Sequence, residues 1–110
     1  MVEQPDCECL VLDYVKWDFD EKSLGTDRNW ADVALRTCRR CDRVWLYYHY
    51  ENEAFSKSGR WYRGVVSAKV AESIEAEDAL DLLAKLDGYI CGGSYFGSVR
   101  RGCGAIVISP

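Results

Sequence analysis

Four cysteines in two closely spaced pairs are the residues of this 110-residue sequence best suited to chemistry. Cys7 and Cys9 form a Cys-x-Cys pair, Cys38 and Cys41 form a Cys-x-x-Cys pair, and 28 residues lie between the two pairs. A Cys-x-x-Cys turn presents two thiolates on one side of a tight loop, and a second close pair completes the tetrahedral shell that zinc accepts without strain. The two arginines inside the second pair favour the thiolate form that binds metal. The four thiols therefore predict a structural zinc site.

The segment Leu35–Tyr48, LRTCRRCDRVWLYY, resembles a zinc-ribbon knuckle: a strand, a Cys-x-x-Cys turn, and a second strand with a large aromatic residue. Asp42 departs from that pattern, because such knuckles generally have glycine at this position. The combination of Cys-x-Cys with Cys-x-x-Cys is similar to the zinc centre of the redox-regulated heat-shock chaperone family, whose zinc-bound thiolates act as an oxidation switch. That second resemblance is confined to the cysteines. It implies a redox role as an expectation beside the structural one.

Two other interpretations of the cysteines remain open. The four paired thiols could be buried core residues that never meet. Alternatively, Cys38 and Cys41 could bind metal together with Cys91 and Cys103. Eleven residues separate Cys91 from Cys103, and neither has a close partner in the sequence. We therefore favour both as small buried hydrophobic residues of a C-terminal hairpin.

The apolar pattern predicts an α+β domain with a mostly antiparallel sheet. Residues 43–51 (RVWLYYHYE) are rich in side chains that favour strands, and residues 60–66 are the expected antiparallel partner. Apolar residues at helical spacing predict one main helix over residues 75–87, with acidic residues in its first turn; residues 67–74 could belong to it or form an earlier helix. A strand is expected at residues 33–37, although a helical turn beginning near Asp27 remains open, and two further strands at 89–96 and 104–109 flank a glycine-rich turn. Residues 9–19 are expected to form a strand or an extended segment, and residues 18–29 a polar loop.

The predicted strand at residues 43–51 carries apolar or aromatic side chains on both faces, whereas a sheet with one solvated face alternates apolar with polar. One interpretation is that the helix covers one face while loops or the N-terminal segment cover the other. The second is an exposed aromatic patch that binds a partner. The candidate partner-binding residues are Trp45, Tyr47, His49, Trp61 and Arg63. His49, the only histidine, has no evident nucleophile to serve, so a structural role is expected rather than catalysis.

Composition and charge restrict the function further. The hydrophobic fraction of 48% is typical of a globular chain, and the length predicts a single domain over residues 1–110. The net charge of -4 argues against general nucleic-acid binding and favours a basic protein partner. The N-terminus lacks a signal-peptide pattern, and no stretch approaches the roughly 20 apolar residues that span a membrane. We therefore expect a cytoplasmic protein with reduced thiols and no membrane contact.

The sequence thus predicts a zinc-stabilised protein that binds another protein. In size and charge it is comparable to the small acidic immunity proteins with which bacteria neutralise toxins. An enzyme is not expected, because four thiolates would close the zinc shell to water and substrate. Two alternatives remain open: a redox sensor that uses the same cysteines, and a nucleic-acid-associated zinc ribbon. The last depends on four arginines around the knuckle, Arg36, Arg39, Arg40 and Arg43.

Overall fold

A computed structural model of the chain describes residues 19–52 and 57–106, which form a six-stranded sheet with short helices. Every neighbouring pair of strands is antiparallel, and the strands follow one another across the sheet in chain order. The elements are β1 (Phe19–Thr26), β2 (Asp32–Cys38), β3 (Val44–Tyr50), β4 (Arg60–Val66), α1 (Ala68–Ser73), a 3-10 helix (Ala76–Asp78), α2 (Ala79–Lys85), β5 (Tyr89–Gly92) and β6 (Arg100–Gly102). The predicted α+β class with an antiparallel sheet is confirmed. None of the helices in this part of the chain has the length and hydrophobicity needed to cross a membrane.

Strands β3 and β4 form the centre of the sheet, as the sequence predicts. Their register runs from Val44 opposite Val66 to Tyr50 opposite Arg60 without a bulge. Aromatic and β-branched side chains fill both strands, and such residues suit a pleated, buried surface. The predicted strand at residues 33–37 is also confirmed, as β2. The predicted extended segment at residues 9–19 lies outside the described residues, apart from Phe19.

The predicted polar loop at residues 18–29 is wrong over most of its length, because Phe19–Thr26 is strand β1. β1 is an edge strand that pairs only with β2, and most of its side chains are exposed. An edge strand needs little hydrophobic surface, and charged residues or a bulge protect its free side from further pairing. β1 has both features: three charged residues follow Phe19, and the register shifts between Ser23 and Gly25. Its polarity therefore reflects its position at the edge.

The predicted main helix at residues 75–87 forms, but it is shorter than expected. It begins as the 3-10 helix and continues as α2 to Lys85. The preceding residues form the separate helix α1, which is capped where the Ser67 hydroxyl accepts the N–H of Val70 at 3.1 Å. Ile74 has extended backbone and ends α1. Gly64 of β4 lies directly beneath α2. A Cβ at this position would overlap the side chains of Leu83 in the helix and of Leu86, which follows its last residue, so the close packing requires a glycine.

The C-terminal hairpin is displaced from its predicted position. β5 ends at Gly92, four residues before the predicted end, because Gly93 has a φ of +113° and its carbonyl accepts the N–H groups of Phe96 and Gly97 in a turn. The returning strand is β6, not residues 104–109. Residues 104–106 are not in a strand, and residues 107–109 lie outside the described part of the chain. The glycine-rich turn between the two strands is confirmed.

The sheet has two different faces. The inner face packs against the helices and forms the main core, which includes Leu46, Tyr48, Tyr62, Ala79 and Leu83. The opposite, outer face carries a smaller cluster formed by Cys38, Trp45 and Ile90, with Phe19, Cys41, Trp61 and Val99 packed around it. No residue of a described helix belongs to this second cluster. The helices therefore account for the burial of the inner face only.

Replacing Leu83 by alanine tests the packing of α2 on the sheet. Leu83 is fully buried, so Leu83→Ala should lower the free energy of unfolding by about 2–5 kcal/mol. The control is Val65→Ala on the outer face, whose side chain is exposed, and it should cost less than about 1 kcal/mol. Urea unfolding followed by tryptophan fluorescence measures both. Equal unfolding midpoints for the two variants would contradict the packing described.

Candidate functional site

The Cys-x-x-Cys sequence forms the turn between β2 and β3. The backbone N–H of Cys38 donates to the carbonyl of Arg43 at 2.9 Å, and the N–H of Asp42 donates to the carbonyl of Cys38 at 2.9 Å. Asp42 has a φ of +64°, in the left-handed region, which aspartate tolerates better than most other residues with a side chain. Asp42 thus adopts a backbone conformation that is usually supplied by glycine. The departure from the knuckle pattern is therefore compatible with a tight turn.

The first described residue of the chain lies beside this turn. Phe19 is paired with Cys38 at the end of the β1–β2 ladder, and it packs in the same apolar cluster as Cys41. Cys38 is fully buried and Cys41 is half-buried. Cys7 and Cys9 lie outside the described residues. Ten residues lead from Cys9 to Phe19 and can span up to about 33 Å, so the first cysteine pair can reach the turn.

The alternative ligand set with Cys91 and Cys103 is wrong. Cys38 packs on the outer face, whereas Cys91 packs in the core on the inner face, so the sheet itself separates them. Within residues 19–52 and 57–106, no three Cys, His, Asp or Glu side chains are placed to hold a metal ion. Cys91 is confirmed as a buried thiol, and its burial raises its pKa. Cys103, expected to be buried, is exposed because it follows the last residue of the edge strand β6.

Acidic residues of β1 offset part of the positive charge around the turn. The Nε of Arg36 lies 2.7 Å from Oε1 of Glu21, and the Nε of Arg39 lies 2.9 Å from Oδ1 of Asp20. An exposed pair such as Arg39 with Asp20 contributes about 0–1 kcal/mol to stability, but it does reduce the local charge. Two of the four arginines that suggested nucleic-acid binding are therefore engaged with carboxylates.

The centre of the outer face is buried. The side chain of Trp45 is only 3% exposed and that of Arg63 only 6%. The guanidinium of Arg63 lies 4.4 Å from the centre of a ring of Trp45, and the indole N–H of Trp45 has no hydrogen-bond acceptor among the described residues. Two of the five candidate partner-binding residues thus lie below the surface.

The other three candidates form a partly exposed row of rings. Tyr47, His49 and Trp61 are half-buried and lie at the end of the outer face farthest from Cys38, which we call the histidine end. The ring centres of Tyr47 and His49 are 6.4 Å apart with the planes inclined by 10°, and those of Tyr47 and Trp61 are 6.4 Å apart at 26°. Trp61 lies over Gly92, where a Cβ would come within 2.8 Å of the indole. The indole of Trp61 can therefore occupy this position only because Gly92 has no side chain.

An open groove of about 310 Å³ adjoins these rings. The polar and aromatic residues that line it are Glu21, Ser23, Asp32, Arg36, Tyr47 and His49. The guanidinium of Arg36 lies 3.7 Å from the centre of the Tyr47 ring while it pairs with Glu21. Asp32 lies opposite His49 in the β2–β3 ladder and is exposed. The groove therefore brings two aromatic side chains, Tyr47 and His49, together with three charged ones, Glu21, Asp32 and Arg36.

The sequence analysis missed the most exposed aromatic residue of the described part of the chain. Trp30 is 84% exposed and has a φ of +63° in the loop between β1 and β2. The carboxylate of Asp27 orders this loop: it accepts the N–H groups of Asn29 at 2.9 Å and Ala31 at 3.1 Å, and the hydroxyl of Tyr48 at 2.5 Å. A tryptophan that directly follows three polar residues, Asp-Arg-Asn, was the available signal.

Comparisons of the chain with models of protein families, with curated proteins and with solved structures found no significant match.

The contact between Tyr48 and Asp27 predicts a pH-dependent stability. Tyr48 is fully buried, and burial, then its hydrogen bond to Asp27, raises its pKa well above the usual range. The unfolded chain releases this proton near pH 10, so the stabilisation by neutral Tyr48 is complete below pH 10 and is lost as pH rises above it. Tyr48→Phe should lower the free energy of unfolding by about 1–3 kcal/mol at pH 7, because Asp27 loses a buried donor. The difference in free energy of unfolding between wild type and Tyr48→Phe should become smaller above about pH 10.

Urea unfolding at pH 7, 9 and 10.5 measures this gap. Tyr95→Phe, at a half-exposed tyrosine, is the control and should leave stability at pH 7 within about 0.5 kcal/mol of wild type. A gap for Tyr48→Phe that stays constant or widens at pH 10.5 would show that the pKa of Tyr48 is not raised by folding.

Proposed function

We propose that this chain is a zinc-stabilised domain that binds another protein through the histidine end of its outer face. The observation that carries the proposal is the partly exposed row of Tyr47, His49 and Trp61, on a face of the sheet that no described helix covers. Aromatic residues are enriched in protein interfaces, because large rigid side chains bury much area at little cost in entropy. The buried Trp45 and Arg63 lie beside this row on the same face of the sheet and pack against it.

The proposed zinc ligands are Cys7, Cys9, Cys38 and Cys41. Two observations support them: the Cys38–Cys41 segment forms a tight turn closed by backbone hydrogen bonds, and β1 begins directly beside that turn. The buried cluster on the outer face gives a third reason, because no described helix covers it and a segment held there by the metal would shield it further. Residues 10–17 (LVLDYVKW) are rich in apolar side chains and precede Phe19. A shared zinc ion would hold this segment over the cysteine end of the face, the end formed by Phe19, Cys38 and Cys41.

The partner we propose is a basic protein. The net charge of -4 and the acidic residues of β1 and of the helices favour such a partner. The role is non-catalytic in this proposal, because a shell of four thiolates offers no open coordination position. A zinc-ribbon-like domain of this kind also suits a reducing cytoplasm, in which clustered thiols are kept from forming disulfides. The nucleic-acid alternative loses support from the ion pairs of Arg36 and Arg39.

Metal analysis with single cysteine variants tests the zinc site. Purified protein should contain about one zinc per chain, and both Cys7→Ser and Cys38→Ser should lose it and unfold at lower temperature. Cys103→Ser is the matched control, because Cys103 is exposed and far from the turn in the sheet, and it should retain the metal. Zinc content near zero in protein purified under reducing conditions, or full retention in Cys7→Ser, would remove the proposed site.

The redox alternative draws on the partial exposure of Cys41, which gives an oxidant access to one thiolate of the turn. Mild peroxide treatment of the zinc-loaded protein separates the two roles. A structural site should retain its zinc, whereas a sensor should release it, form disulfides and rebind zinc after reduction. Release that is reversible in this way would favour the sensor over a purely structural zinc.

Partner capture with surface variants tests the proposed interface. Tyr47→Ala and Trp61→Ala should each weaken retention of a specific protein from a native lysate at least tenfold, as expected for residues that dominate an interface. Tyr95→Ala is the control, because Tyr95 is half-exposed in the turn after β5 and its ring stacks on Arg60, which is paired with Tyr50 of the inner-face core rather than with the row of Tyr47, His49 and Trp61. If all three variants retain the same protein equally, the histidine end is not the contact surface.

A further inference from the structure

We infer that the groove at the histidine end receives an arginine side chain of the partner, stacked between the rings of Tyr47 and His49 and paired with Asp32. This inference rests on the proposed protein-binding function and specifies the chemistry of the contact. It commits the site to a planar cation rather than to an apolar or an anionic group.

The ring geometry provides a slot for a planar group. Arg36 lies over the Tyr47 ring and is paired with Trp45 in the ladder, whereas His49 follows Tyr47 two residues further along β3 in the direction away from Trp45. From this register we infer that Arg36 and His49 flank Tyr47 on opposite sides. The rings of Tyr47 and His49 are nearly parallel, at 10°, with centres 6.4 Å apart. A flat group stacked between two rings needs about 7 Å, at the usual carbon–carbon contact distance of about 3.5 Å on each side. The distance between the ring centres is an upper limit on the gap between the planes, so the rings must move apart by at least about 0.6 Å (about 7 Å less 6.4 Å) to admit the group, and the partial exposure of both side chains permits such a movement.

The charges in the groove select a cation. Glu21 and Asp32 contribute two carboxylates to the lining, and Arg36 contributes one guanidinium that pairs with Glu21. Asp32 forms no ion pair with any residue in the described part of the chain. One carboxylate is therefore in excess at the mouth of the ring slot. The guanidinium of a partner arginine would form an ion pair with this carboxylate and at the same time stack on the rings. Arginine makes both contacts better than lysine does.

The domain already uses this mode of contact internally. Arg36 stacks on Tyr47 at 3.7 Å while it pairs with Glu21, which is the arrangement we infer for the partner's arginine beside Asp32. Arg60 on Tyr95 at 3.8 Å and Arg63 on Trp45 at 4.4 Å repeat the stacking. A partner arginine between Tyr47 and His49 would add one more stacked arginine to these contacts, at the next outward-facing position along β3.

Titration of the full-length, zinc-loaded protein with capped tripeptides tests the inference by NMR. The probes are Gly-Arg-Gly, Gly-Lys-Gly and Gly-citrulline-Gly, where citrulline keeps the shape of arginine without its charge. The arginine peptide should shift the resonances of Tyr47, His49 and Asp32 in a saturable way, more tightly than the lysine peptide, and the citrulline peptide should bind at least about fivefold more weakly. Asp32→Asn and His49→Ala should each weaken arginine binding about two- to fivefold.

Glu72→Gln is the matched control, because it removes the same charge from an exposed position on α1 and should leave the affinity unchanged. Well-dispersed spectra of each variant establish that it is folded. The inference is overturned if the arginine and citrulline peptides bind equally, if Glu72→Gln weakens binding as much as Asp32→Asn, or if no saturable shift occurs. Should this happen while Tyr47→Ala and Trp61→Ala still abolish partner capture, the protein-binding proposal stands and only the choice of arginine fails.

Discussion

The sheet of this domain has helices on one face only, yet its other face also carries residues that must be kept from water. Trp45 and Ile90 are 3% and 2% exposed on that outer face. A buried tryptophan removes roughly 150–250 Å² from water, worth about 4–6 kcal/mol. The net stability of a domain is only about 5–15 kcal/mol. Covering the outer face is therefore a condition for folding, and the rest of the structure depends on how it is met.

The outer face is divided along its strands. At the cysteine end, Phe19, Cys38 and Cys41 pack together with Trp45, and the chain enters the sheet there. At the histidine end, Tyr47, His49 and Trp61 stay partly exposed beside an open groove. The division explains why the five residues proposed from the sequence as one patch differ in burial: Trp45 and Arg63 belong to the closed part. A face that is closed at one end by its own chain can keep rings available at the other without exposing its centre.

The sequence predicted the elements whose residues alone determine their structure. β3 and β4 were found because strand-favouring side chains fill them, and the Cys38–Cys41 turn because its spacing is specific. β1 was missed because an edge strand is identified by what it pairs with, and its side chains resemble those of a loop. The position of β6 depended on Gly93, whose positive φ ends β5 in a way that composition does not reveal. Trp30 was missed because its exposure depends on a carboxylate–phenol contact between residues 21 positions apart, Asp27 and Tyr48.

The Cys38–Cys41 turn and the rings of Tyr47 and His49 lie at opposite ends of β3, and both depend on the register in which β3 pairs with its neighbours. Tyr47 and His49 face outward because β3 pairs with β2 and β4 in the observed registers, and a slip of one residue would turn them into the core. β3 is seven residues long, so about 20 Å separates its ends, and the turn at Cys38–Cys41 is where its register with β2 begins. A zinc ion that held this turn would act on the distant rings by excluding the slipped pairing, without any contact with them. In that arrangement the proposed metal would determine which face the aromatic residues occupy, and the proposed partner would bind that face.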